Sequence, residues 1–168
     1  MLTEEKKLEI VFMPRLPVIE FSCDLFRIKR MIGNLLSNAI DYCVAGGKII
    51  ISTNTATDQD QEFISCIPLK LRDRIVSGKE YFWAVVADTG FGIPEEYQEA
   101  VFEKFFTVKT AEGLGRRGIG LGLAFSKLVV EAHDGLIICR TPQGATVGQR
   151  MPGVEFHVIL PCAKAISR

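Results

Sequence analysis

Gly118, Gly120 and Gly122 alternate with Ile119, Leu121 and Leu123, and an apolar helical pattern begins at once with Leu121, Ala124, Phe125, Leu128 and Val129. Glycine has no Cβ, so the backbone can turn tightly and another group can come close. A helix start adds unpaired N–H groups and the positive end of a dipole. Together these features suit the seating of a phosphate group. The competing reading is a plain flexible turn. Two other glycine loops fit badly. No Gly-x-x-x-x-Gly-Lys-Ser/Thr run exists in the chain. A dinucleotide fingerprint needs a buried strand before it and a glycine at 123, where leucine stands, and residues 111–117 are polar and glycine-rich.

Asn34, Asn38, Asp41 and Tyr42 are spaced to form one polar stripe on a helix. A lone asparagine on a helix is usually just solvated. Two carboxamides one turn apart, bordering an apolar stripe, are less ordinary, because asparagine is a poor helix former. A carboxamide oxygen can ligate Mg²⁺ beside phosphate oxygens and water. Further along, the apolar run Tyr81 to Ala87 delivers Asp88 to the end of a buried strand, and Gly90 and Gly92 let the chain turn around it. A carboxylate there needs donors. Either loop N–H groups supply them, as in an Asx turn, or the exocyclic amine of a bound base does.

These groups must be held by a core. The chain has 168 residues, 48% of them hydrophobic, which suits one compact domain. Strands are expected at Leu8 to Phe12, Lys48 to Thr53, Tyr81 to Ala87, Leu136 to Thr141 and Val154 to Leu160. Asp24 to Cys43 reads as a helix with Ser22 or Asp24 as N-cap, and its stripe is Leu25, Ile28, Ile32, Leu35, Leu36, Ala39 and Cys43. Ile119 to Ala132 reads as a second helix, ended near Asp134-Gly135, and Pro94 marks the start of a third. Residues 54–80 are polar and irregular, a long loop insertion with a short helix near Leu69 to Val76. Strands with interspersed helices imply one mixed sheet covered on one face by helices.

Charge and composition remove several classes. Lys plus Arg number 20 and Asp plus Glu 20, so no general attraction to nucleic acid or anionic membrane is expected. The apolar runs are too short to span a bilayer, and the charged start carries no secretory segment. The 5 cysteines are scattered and include no C-x-x-C pair, which speaks against zinc and for free, mostly buried thiols in a reducing cytoplasm.

Four motifs in this order and spacing resemble the ATP-binding catalytic domain of sensor histidine kinases, within the gyrase/Hsp90/MutL ATPase superfamily. Asn34-Leu35-Leu36-Ser37-Asn38-Ala39-Ile40 resembles the N box, and Asp88-Thr89-Gly90-Phe91-Gly92-Ile93 the G1 box. Phe102-Glu103-Lys104-Phe105-Phe106 resembles the F box, and Gly118 to Leu123 the G2 box. The resemblance implies a two-layer α/β (α+β) sandwich with a mixed, mostly antiparallel sheet of about five strands under three helices. It implies that Asp88 binds the adenine amino group, that Asn38 holds Mg²⁺ against the phosphates with Asn34 nearby, and that Tyr42 lines the base or ribose. Gly90, Gly92, Ile93 and Phe105 would complete the nucleotide site. Residues 107–118 would form an ATP lid hinged at Gly118, Ile119, Gly120, Leu121, Gly122 and Leu123, where Lys109, Arg116 or Arg117 could meet phosphate charge. Asp41 departs from the pattern, because many members carry lysine there; an aspartate cannot donate to phosphate and would repel it, so Asp41 would lie at the ribose or face water. The segment 54–80 is also longer than the usual connection.

Gyrase-type relatives carry a glutamate at the Asn34 position that activates water. An amide cannot act as a general base. Asn34 therefore points to saving the γ-phosphoryl group for transfer rather than hydrolysis. The chain's own histidines, His133 and His157, sit in structural contexts: a helix C-terminus, where a positive charge suits the dipole, and a strand. The expected acceptor is a histidine on a separate dimerisation domain, with a response regulator downstream and a cytoplasmic location, although the full-length protein could be membrane-anchored. No contact with nucleic acid, or of this segment with a membrane, is expected. The rivals are an ATP-driven conformational switch, a docking module of the same fold with weak or no nucleotide, and, more distantly, a serine kinase of the anti-sigma type.

Overall fold

The computed structural model describes residues 6–15, 23–107, 119–142 and 153–162. Strand β1 (Glu9–Pro14) leads into helix α1 (Leu25–Tyr42), then β2 (Lys48–Ala56), a short helix α2 (Gln61–Cys66), a 3₁₀ turn (Leu69–Arg74) and β3 (Tyr81–Asp88). Two further 3₁₀ turns (Glu95–Tyr97 and Ala100–Phe102) precede helix α3 (Gly122–Glu131), β4 (Leu136–Arg140) and β5 (Val154–Pro161). The five strands form one mixed sheet in the order β1-β2-β3-β5-β4. Strand β1 runs parallel to β2, joined through α1, and the other pairs are antiparallel. Because β3 is central, Asp88 at its end is flanked by Ile49 on one side and Val154 on the other.

Helix α1 starts where the sequence places it. Asp24 caps it, its Oδ1 accepting from Arg27 N at 3.0 Å, which satisfies one orphan donor of the first turn. Its buried face is Ile28, Met31, Leu35 and Ala39. The expected stripe is therefore rotated: Met31 is 2% exposed, whereas Leu25 and Ile32 are 59% and 40% exposed. Spacing of three and four residues is met equally by both sets, and only the sheet beneath decides between them. Helix α3 begins at Gly122 rather than Ile119, because Gly120 takes a positive φ of 71° that no helix continues through. After Pro94 the chain forms 3₁₀ turns instead of the expected third α-helix.

Helices α1 and α3 and the turn Ala100–Phe102 cover one face of the sheet. Their side chains pack on Val86, Phe156, Val158 and Leu160. Helix α2 lies on the opposite face. There Phe63, Cys66 and Ile67 bury themselves on Tyr81, Trp83, Ile138 and Ile159. Alternation along β3 sends Phe82, Ala84 and Val86 to the first core and Tyr81, Trp83 and Val85 to the second. The stretch read as a loop insertion thus finishes β2, forms α2 and seals part of the second face. Its Arg74 Nη2 donates to Gly135 O at 3.0 Å.

The two histidines take part in these supports. His133 does not act through positive charge. Its Nε2 accepts from Asp24 N at 3.0 Å, which requires a neutral ring, and its Nδ1 donates to Val129 O at 2.7 Å. The ring joins the C-terminus of α3 to the N-cap of α1. His157 is buried, with Nδ1 accepting from Trp83 Nε1 at 3.1 Å and Nε2 bonded to Glu155 at 3.1 Å. That bond leads the causes holding the Glu155 carboxyl below its ordinary range. Cys43, Cys66, Cys139 and Cys162 are buried free thiols, and Cys23 is half-buried.

Candidate functional site

A cavity of about 480 Å³ opens between α1, the loop after β3 and the start of α3. This lies within the usual range for small-molecule sites. Helix α1 contributes Asn34, Ser37, Asn38, Asp41 and Tyr42. The end of β3 and its loop contribute Asp88, Phe91, Gly92 and Ile93. The segment from Ile119 to Leu123 forms another wall, including Gly120, Leu121 and Gly122, and Val101, Phe106, Thr107, Val154 and Phe156 complete the lining.

Asp88 is 7% exposed. Its Oδ1 accepts from Gly90 N at 2.8 Å, the Asx-turn arrangement. Among the described residues its second carboxylate oxygen has no hydrogen-bond partner. Burial pushes the Asp88 carboxyl up to about 6, and the Gly90 N–H opposes part of that rise. Behind it, burial and then the Asp88 charge push the Cys139 thiol up to about 12, so that thiol stays neutral. An acceptor atom in an apolar cleft, held by one donor and lacking a second, is suited to a donor brought by a ligand. Burial, with a smaller push from the Asp41 charge, also raises the Tyr42 phenol above its ordinary value.

The start of α3 forms another part of the cleft wall. Leu121, at the N-cap position, supplies no side-chain cap, so the N–H groups of the first turn are left for another acceptor. Gly122 O is held twice, by Asn34 Nδ2 at 3.1 Å and Ser126 Oγ at 3.0 Å. Asn34 thus links α1 to the first residue of α3. Asn38 lies one turn further along α1, facing the same cavity. Its carboxamide has no hydrogen-bond partner among the described residues, which leaves its oxygen able to meet a hard cation. Among the described residues no group of three or more His, Cys, Asp or Glu could hold a metal by itself. A Mg²⁺ here would be shared between Asn38 and ligand phosphates, a donor set that this ion accepts.

Two expected contacts fall elsewhere. Phe105 does not line the cavity. It is 68% exposed with φ of 66°, an uncommon conformation for a non-glycine residue, and its neighbour Phe106 turns inward instead. Phe105 N donates to Gly120 O at 2.9 Å, and a Cβ on Gly120 would meet Phe106 O at 2.7 Å. The middle glycine is therefore fitted against the Phe105-Phe106 backbone. Gly90 is not among the cavity-lining residues and packs against α1. Lys109, Arg116, Arg117 and Gly118, and most of the expected lid, lie outside the described residues, as does Ser22.

Sequence reasoning missed Ser37, Phe91, Val101, Phe106, Val154 and Phe156 as lining residues, whereas Thr107 opens the expected lid. Ser37, Phe91 and Phe106 stand inside the quoted motifs. Val154 and Phe156 carry no local signal and arrive only through the pairing of β5 with β3.

The chain is an α/β sandwich with a cleft between the sheet's helical layer and the loop after the central strand. The family described as Histidine kinase-, DNA gyrase B-, and HSP90-like ATPase matches residues 23–164, and the chain belongs to it. It is similar to the sensor protein SrrB of Staphylococcus aureus, 29% identical over 84% of this chain and 19% of that protein. It is also similar to the adaptive-response sensory kinase SasA of Gloeothece citriformis, 34% identical over 80% of this chain and 26% of that one. The chain thus spans about a fifth to a quarter of these relatives. Among solved structures, the mycobacterial sensor histidine kinase MprB superposes with a TM-score of 0.68 at 23% identity, over 96% of this chain and 87% of that one, which shows the fold. Among the described residues no helix is long and apolar enough to cross a membrane.

Proposed function

We propose that this chain binds Mg-ATP and serves as the phosphoryl-donating half of a histidine kinase. Its acceptor would be a histidine on a separate dimerisation domain, and a response regulator would act downstream. The observation that carries this reading is the pairing, across one cavity, of a buried half-satisfied carboxylate with an open helix start. Asp88 is suited to the exocyclic amine of adenine, and the first turn of α3 to the phosphates.

In this reading Tyr42 and Asp41 border the nucleoside, and Asn38 would hold Mg²⁺ together with the phosphates, where the ion would supply neutralisation of phosphate charge. Asn34 has a different task from that of a base. Its N–H donates to Gly122 O, so it orients the helix start, and a carboxamide has no proton affinity with which to activate water. Transfer to a positioned histidine is favoured over hydrolysis on that ground. Relatedness to SrrB and SasA, both sensory proteins by name, supports placing the chain in phosphoryl signalling.

Calorimetry with ATP and Mg²⁺ on the wild type and Asp88→Ala tests the site. Binding is expected in the wild type and at least a tenfold loss, about 1.4 kcal/mol, in the variant. Transfer of γ-labelled phosphate to a histidine-bearing helical domain tests the reaction. Rapid multiple-turnover hydrolysis by the chain alone, or transfer to serine, would overturn it.

A further inference from the structure

Helix α1 has no basic residue in its last turn and ends in an extended Cys43. Such an end leaves its last carbonyls without intrahelical partners. Ala39 O accepts from Cys43 N at 2.9 Å. Ile40 O and Asp41 O accept from a side chain far away in sequence, Lys6, whose Nζ lies at 2.8 Å and 2.7 Å. The same Nζ donates to Cys43 O at 2.9 Å. An ammonium has three donors, and here each is used. The remaining carbonyl, Tyr42 O, faces Gly90, where a Cβ would come within 2.4 Å of it.

Lys6 is fixed in turn. Its own carbonyl accepts from Gly46 N at 2.8 Å, and Glu9 N donates to Gly47 O at 3.0 Å. The residues leading into β1 are therefore fastened to the end of α1 and to the turn that follows it. The Lys6 ammonium does not reach the cavity. Asp41, whose carbonyl it binds, does line it, and so does Tyr42, held between the bound carbonyls of Asp41 and Cys43.

We infer that Lys6 is a positioning residue for the nucleoside end of the ligand. By drawing three carbonyls together it sets the last turn of α1. That turn carries the Tyr42 ring and the Asp41 carboxylate, and its Tyr42 carbonyl is the surface on which the Asp88–Gly90 turn rests. The inference deepens the nucleotide reading above and rests on it. A helix cap acting on stability alone would leave affinity unchanged in molecules that remain folded. A long-range effect of the positive charge would fall on ATP and spare the uncharged nucleoside.

NMR titrations of the wild-type chain and of Lys6→Met and Lys6→Arg with adenosine, and with ATP plus Mg²⁺, separate these cases below each protein's melting temperature. Lys6→Met is expected to weaken both ligands by roughly five- to tenfold, with the ratio of the two affinities unchanged. The amide resonances of Tyr42, Asp88 and Gly90 should move even without ligand. Lys6→Arg keeps the charge, but its planar donors cannot converge on three carbonyls, so a smaller equal loss is expected. Unchanged affinity in folded Lys6→Met overturns the inference, as does a loss confined to ATP. Should Lys6→Met fail to fold, Lys6→Arg decides by the same comparison, equal loss supporting it and unchanged binding overturning it. A wild-type chain that binds neither ligand overturns the nucleotide reading and this inference with it, whereas binding that ignores Lys6 overturns this inference alone.

Discussion

The carbonyl oxygen of Tyr42 fills the space that a side chain on Gly90 would need, 2.4 Å from an ideal Cβ. The end of α1 and the turn after β3 touch backbone to backbone, and that contact sets where Asp88 stands. Gly90→Ala forces one of them aside. A loss of about 1–3 kcal/mol is expected from this overpacking, together with a clear loss of nucleotide affinity. Thermal unfolding and calorimetry on the same variant check both.

Asp88 stores a cost that a neutral side chain would not. Its carboxyl sits at about 6 in the folded protein, against ~3.9 in an unfolded chain. The folded state holds the proton more tightly, so stability from this group is full below the unfolded value and falls as pH rises from about 4 to about 6. Above that window the ionised form costs on the order of 2–3 kcal/mol. Asp88→Asn should therefore raise the stability of the ligand-free protein at neutral pH by about 1–2 kcal/mol while weakening nucleotide binding. In the wild type, affinity should decline as pH falls through about 6. Denaturant unfolding and calorimetry across that range test both halves. A variant less stable than wild type at neutral pH would contradict the account.

Introducing a carboxylate at position 34 should not by itself confer hydrolysis. Asn34 Nδ2 donates to Gly122 O, and a glutamate there presents an acceptor to an acceptor. Asn34→Glu is expected to lose about 1–3 kcal/mol through the unmade bond at the start of α3, with ATP turnover staying slow. Steady-state phosphate release and a melting curve measure the two outcomes.

The core on the far face should be separable from the site. Phe63 is fully buried against Tyr81 and Trp83, with ring centroids at 5.9 Å and 5.6 Å. Phe63→Ala should cost about 3–5 kcal/mol. In conditions where the variant stays folded, nucleotide affinity is expected to match the wild type. A large affinity loss in folded protein would show the two faces to be coupled.

Much of this was legible in the chain because the chemistry sits in short local patterns. Asn34, Asn38, Asp41 and Tyr42 share a helix face by spacing alone, and Asp88 follows directly on an apolar strand. Residues that converge from distant segments were not legible in this way. Val154 and Phe156 enter through strand pairing, and Lys6 reaches α1 across more than thirty residues. The difference between Phe105 and Phe106 depends on one positive φ, which two adjacent identical side chains cannot signal. Met31 replaces Ile32 in the core because 3.6 periodicity leaves two faces eligible until a sheet is beneath them. Residues 54–80 looked like a loop because their polar positions outnumber the apolar ones. Yet Phe63, Cys66 and Ile67 suffice to anchor them on the second face.

That second anchorage makes the sheet a partition. Side chains from alternate positions of β3 belong to separate packed interiors, one beside the cleft and one beneath the inserted helix. Substitutions on the inserted side are therefore expected to register as altered thermal tolerance rather than as altered ligand choice. The fold thus has two packed interiors to adjust, one beside the cleft and one away from it.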